Sequence, residues 1–129
     1  MIIVDANILA YLTIHGEHTE AVERLLATDS DWIAPPLWLD EFLNVLTTSE
    51  RTGTISRKES DDALDEATEV MRGRSHQISP SQTLATARRT GCSAYDSQYL
   101  ALAEDLNLPL YTFDKKLISR SNGSARRPQ

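Results

Sequence analysis

Apolar residues fall into short blocks along the chain, and their spacing alternates between two periods. Ile2-Ile3-Val4 is a compact β-branched run that reads as a buried strand. Ala6 to Leu12 reads as a short helix. His18 to Ala27 reads as a second, with Ala21, Val22, Leu25 and Leu26 at helical spacing. Trp32-Ile33-Ala34 predicts a strand that Pro35-Pro36 ends, and Pro36 suits the first turn of the helix that follows. That helix carries Leu37, Phe42, Val45 and Leu46 and breaks near Gly53. Ser56-Arg57-Lys58-Glu59 is a capping-box pattern, which opens a helix from about Arg57 to Met71 that Gly73 stops. His76-Gln77-Ile78 is the thinnest predicted strand. Ser81 to Thr90 reads as a helix ending at Gly91, and Ala94 to Leu106 is the clearest helix of all. Leu110 to Phe113 predicts a strand, and Lys115 to Ile118 a final turn.

Strands that alternate with helices imply parallel β-α units with right-handed crossovers, hence an α/β fold. Residues 1–118 are expected to form one domain. Residues 119–129, which are polar and basic, are expected to form a flexible tail.

Composition narrows the class. The chain has 129 residues, of which 40% are hydrophobic and 25% charged, as in a water-soluble domain. Its apolar runs are too short to cross a membrane, and the first residues carry no basic lead or cleavage site, so a cytoplasmic address is expected. Cys92 is the only cysteine, which leaves no internal disulfide and no zinc framework. The net charge of −6 argues against a protein that holds nucleic acid by bulk charge. The charge is unevenly spread, however. Residues 115–129 carry +5 and no acid, while eight Lys and Arg against nineteen Asp and Glu leave −11 on the rest. Such a basic end could lie beside a phosphate backbone, or simply be solvated.

Four carboxylates carry the candidate chemistry. Asp5 closes the first strand and Asp114 the last, Asp96 opens the clearest helix, and Glu41 lies one turn from Leu37 and Val45 near an apolar side. Each has a structural reading: Asp5 and Asp114 as helix caps, Asp96 as a charge suited to a helix dipole, Glu41 as a residue at the edge of a stripe. Together they read differently. Acids at strand ends and in helix first turns can converge on one rim of an α/β sheet, where such folds keep their sites. Crowded carboxylates repel, and a hard divalent cation with oxygen ligands removes that penalty. Asn7 could orient Asp5, and Asn44, one turn past Glu41, could support it. No glycine-rich phosphate loop is present, Ser93 and Ser97 have no nearby histidine to activate them, and His15 and His18 read as loop residues.

Three segments resemble one known family. Val4-Asp5-Ala6-Asn7-Ile8-Leu9 is similar to the opening of PIN-domain proteins, Ala94 to Glu104 to their third motif, and Leu108 to Leu117 to their fourth. The size resembles that of the VapC-like toxins of toxin–antitoxin pairs. The resemblance implies a three-layer α/β/α sandwich with a central parallel sheet of four or five strands. It implies Mg²⁺- or Mn²⁺-dependent endoribonuclease activity, with Asp5, Glu41, Asp96 and Asp114 as the catalytic and metal-binding quartet. Asn7 and Thr112 become polar neighbours of the site. Lys115, Lys116 and Arg120 are candidates for steering RNA towards it. An antitoxin partner is implied too, and a homodimer expected. Two departures stand out: no clear last strand after Lys116, and a thin segment around His76 to Ile78. The alternatives are a PIN-like module that binds RNA or a partner without cutting, and a phosphohydrolase acting on small phosphate esters.

Overall fold

The computed structural model describes residues 1–129. The chain begins with β1 (Ile2–Val4), then α1 (Ala6–Thr13), α2 (Thr19–Thr28), β2 (Trp32–Ile33) and α3 (Trp38–Arg51). It continues through α4 (Arg57–Val70), α5 (Pro80–Thr90), α6 (Ala94–Leu106), β3 (Leu110–Tyr111), α7 (Lys115–Arg120) and β4 (Ala125–Arg126). The four strands form one parallel sheet in the order β2-β1-β3-β4, flanked by helices.

Local chemistry sets the helix boundaries. Ser56 accepts from the Glu59 amide, and the Glu59 side chain accepts from the Ser56 amide, which completes the capping box of α4. Ser79 and Ser93 cap α5 and α6 with their hydroxyls alone, which accept from the Gln82 and Asp96 amides. Gly91 ends α5 with φ +73°, a left-handed conformation that favours glycine. Pro36 sits ahead of α3 rather than in it. The Trp38 and Leu39 amides donate to the Pro35 and Pro36 carbonyls, so the two prolines form the turn that leads into the helix.

One apolar core holds the layers together. Ile3, Val4, Ile33 and Leu110 on the strands are fully buried, as are Phe42 on α3 and Leu100 on α6. β1 is central to the sheet, which accounts for its continuous apolar sequence.

Two expectations about the sheet's edges give way. The strand expected at His76 to Ile78 shrinks to a single parallel bridge between Ser75 and Ala34. The His76 amide donates to the Ala34 carbonyl, and pairing stops there. At the opposite edge, the segment expected to be a tail supplies β4. Leu110 and Tyr111 pair in register with Ala125 and Arg126, and Ala125 is buried. A polar sequence conceals this strand because only one of its two residues faces the core.

Candidate active site

β1 is flanked by β2 on one side and β3 on the other, so successive connections leave it in opposite directions. In open α/β sheets this reversal point, at the carboxyl ends of the strands, is where a crevice forms. Asp5 directly follows β1, and Asp114 lies three residues past β3. A cleft of about 210 Å³ opens there, lined by Asp5, Asn7, Glu41, Asn44, Asp96 and Asp114. Thus the four carboxylates picked out in the sequence meet in one cleft, although they are spread over 110 positions of the chain.

Asp5 is the most confined of the four, at 8% exposure. Its Oδ1 accepts from the Ile8 amide at 3.1 Å, so it does cap α1, and its Oδ2 accepts from the Thr112 hydroxyl at 2.5 Å. Burial dominates its titration and pushes it up to about 6. The Thr112 and Ile8 hydrogen bonds pull the other way, and the charges of Glu41 and Asp96 add to the rise. Thr112 is itself fully buried. Its oxygen also accepts from the Asp114 amide at 3.1 Å, so one hydroxyl joins the end of β1 to the loop after β3.

Glu41 projects from the first turn of α3, and its Oε1 accepts from the Tyr99 hydroxyl at 2.7 Å. Burial raises its carboxyl above the ordinary range, the Tyr99 bond offsets part of that rise, and the Asp96 charge adds to it. The Tyr99 hydroxyl is likewise pushed up, first by burial and then by Glu41. Asp96 is raised by burial and by the charge of Asp114. Asp114 caps α7 through its Oδ1, which accepts from the Lys116 and Leu117 amides. The cap readings and the cleft therefore hold together: Asp5 and Asp114 each do both.

The donor set is all oxygen, as a hard cation requires. No group of three or more His, Cys, Asp or Glu side chains stands close enough to enclose an ion by itself. Acids that face one another across a cleft, several already held by a hydrogen bond, fit a cation that keeps part of its water shell. Mg²⁺ binds in that manner, through one or two carboxylates plus waters and phosphate oxygens. Asp5, Glu41 and Asp96, whose charges bear on one another, are the residues that could hold it.

Asn7 and Asn44 are exposed and line the cleft, whereas Thr112 lies beneath it. The cations expected to steer RNA divide. Lys115 and Lys116 are exposed on the first turn of α7, beside Asp114. The Arg120 guanidinium instead donates to the Gly91 carbonyl at 2.9 Å and closes the end of α5. Sequence reasoning overlooked Tyr99 as a site residue. Its signal was its place three residues after Asp96 on one helix, which puts both on the same side.

No helix is long and apolar enough to cross a membrane. The family model of the PIN domain matches residues 2–122. The chain is 28% identical over 122 residues to ribonuclease VapC3 of Pyrobaculum aerophilum, covering 92% of this chain and 93% of that one. Among solved structures it is similar to PAE2754 of Pyrobaculum aerophilum, with a TM-score of 0.78, 23% identity and coverage of 98% and 89% of the two chains. It is similar also to FitAcB of Neisseria gonorrhoeae, with a TM-score of 0.69, 18% identity and coverage of 99% and 98%. With that match running nearly from end to end and the sheet order and acidic cleft as described, the chain belongs to the PIN domain family.

Proposed function

We propose that this protein is a divalent-metal-dependent endoribonuclease, the toxin of a toxin–antitoxin pair. The observation that carries the reading is the meeting of Asp5, Glu41, Asp96 and Asp114 in one cleft at the reversal point of the sheet. Membership of the PIN family and the likeness to a relative named as a VapC ribonuclease support it.

A bound Mg²⁺ or Mn²⁺ would supply a water of lowered pKa and offset charge on the phosphoryl oxygens. Asp5, Glu41 and Asp96 would hold it. Thr112 and Tyr99 position two of these acids through single hydrogen bonds. Asn7 and Asn44, at the cleft wall, are placed to donate to a phosphate oxygen. Asp114 tunes the charge of Asp96 from across the cleft. Lys115 and Lys116 draw the RNA backbone towards a pocket whose own charge would repel it. The reading brings with it a cytoplasmic setting, an antitoxin that covers the site, and a homodimer.

The test is cleavage of RNA by the purified protein in Mg²⁺ or Mn²⁺, with EDTA as the control. Asp5→Asn and Asp96→Asn should each lower the rate by ~10⁴-fold, the scale on which removal of a catalytic group acts. Their circular dichroism should match that of the parent. Parental activity in either variant contradicts the assignment. RNA binding without EDTA-sensitive cleavage by the parent would leave a binding module instead.

A further inference from the structure

A second depression lies past the acidic cleft, where β4 meets α2. It is a groove of about 600 Å³, lined by Arg24, Thr28, Tyr111, Arg126, Arg127 and Gln129 among others, and no Asp or Glu side chain lines it. In a chain of net charge −6, such a wall needs a reason. Arg126 ends the strand that the polar sequence conceals, and Arg127 directly follows it. Neither side chain forms an ion pair. The Arg126 guanidinium lies over the Tyr111 ring at 6.0 Å and that of Arg127 over the Phe113 ring at 4.8 Å. Phe113 is packed in turn, stacked on His18 at 4.1 Å and set edge-on to Tyr11 at 5.1 Å.

A ring packed in this way restrains the Arg127 guanidinium before any ligand arrives, which lowers the entropy lost on binding, and Arg126 lies at the outer edge of the same kind of contact. Arg24, already bonded to the exposed Glu20 at 3.1 Å and to the main-chain oxygen of the terminal Gln129 at 3.0 Å, completes the wall from α2. Phe113 immediately precedes Asp114, so one loop after β3 supplies both the Arg127 platform and an acid of the cleft. Planar, permanently charged forks over aromatic rings, on the same sheet rim as a candidate site for phosphodiester chemistry, suit one ligand class above others: the phosphates of a single-stranded nucleic acid.

We infer that the groove between α2 and β4 is an extension of the substrate site, in which Arg24, Arg126 and Arg127 bind phosphates of the single-stranded RNA flanking the bond to be cut. This rests on the nuclease reading above. It also moves the RNA-binding role from Arg120, which is engaged with Gly91, to Arg24 on α2 and to Arg126 and Arg127 at the end of β4.

The experiment measures binding of a fluorescent single-stranded oligoribonucleotide to the full chain carrying Asp96→Asn, in EDTA, over a range of salt. In that background Arg126→Gln with Arg127→Gln should weaken binding at least tenfold and flatten the dependence of log affinity on log salt by about 1.4, at ~0.7 for each phosphate left without its arginine. Arg126→Lys with Arg127→Lys should restore that slope. Arg24→Gln, on a helix outside the sheet, should weaken binding without touching β4 and so guards against a folding defect in the double variant. With Asp96 intact, the double glutamine variant should raise KM for RNA cleavage at least tenfold. Binding within twofold of the parent for both the double variant and Arg24→Gln overturns the groove, even if the parent cleaves RNA. A parent that neither binds nor cleaves RNA overturns the nuclease reading as well.

Discussion

Thr112 shows how much of the site hangs on single atoms. Its hydroxyl donates to Asp5 and accepts from the Asp114 amide, and the side chain has no exposure to water. Thr112→Val keeps the shape but leaves a buried carboxylate oxygen and an amide without partners, at a cost of ~1–3 kcal/mol in denaturant unfolding. The same change removes a hydrogen bond that favours the ionised form of Asp5, so its pKa rises above about 6. The acid limb of the pH–rate profile should then move to higher pH, and an unmoved limb would show that Asp5 is not the titrating group. Tyr99→Phe is a milder probe. It removes the 2.7 Å bond to a half-buried Glu41, with ~1–2 kcal/mol lost from stability and a weaker apparent affinity for Mg²⁺ in titrations of activity.

The elements differ in how plainly the sequence wrote them. β1 announces itself through Ile2-Ile3-Val4, because a strand buried on both faces needs no polar residue. α4 is legible from Ser56 and Glu59, since a capping box is a local device that tertiary packing need not supply. β4 was not legible. It has two residues, follows Ser119 to Ser124, and gains its order from pairing with β3 rather than from propensity. The reverse error at His76 to Ile78 has the same origin, for a β-branched residue alone does not make a ladder. The acidic site was readable because its members end or begin elements that periodicity can locate. Tyr99, Arg126 and Arg127 were not, because their partners Glu41, Tyr111 and Phe113 are set by the fold. If β4 is integral, Ala125→Glu should cost at least ~2 kcal/mol in thermal or denaturant unfolding, as a buried polar group without a partner does. An unchanged midpoint would mean that the sheet ends at β3.

Across the whole molecule, the cleft sets folding against chemistry. Asp5 is raised from 3.8 to about 6, and Glu41 and Asp96 are raised as well. Between pH 3.8 and about 6, the folded chain keeps a proton on Asp5 that the unfolded chain has released. Unfolding then sheds protons, and stability falls as pH rises through that window. Asp29 is shifted downward and acts in the opposite sense, but its pair with the N-terminal ammonium is partly exposed and screened. The metal-free protein should therefore melt at a higher temperature near about pH 5 than near about pH 7. Saturating Mg²⁺ should narrow the gap by stabilising the ionised form. Calorimetry in EDTA and in Mg²⁺ checks both halves, and a midpoint that climbs steadily from about pH 5 to about pH 7 in EDTA would contradict the buried-acid account.

The spread of the four acids along the chain has a consequence for synthesis. A ribosome delivers Asp5 first, Glu41 and Asp96 later, and Asp114 last of the four. A nascent or prematurely terminated product that stops short of Thr112 lacks both the fourth acid and the hydroxyl that anchors the first. A chain cut short of that point cannot assemble the acidic cleft, whatever chemistry the cleft performs.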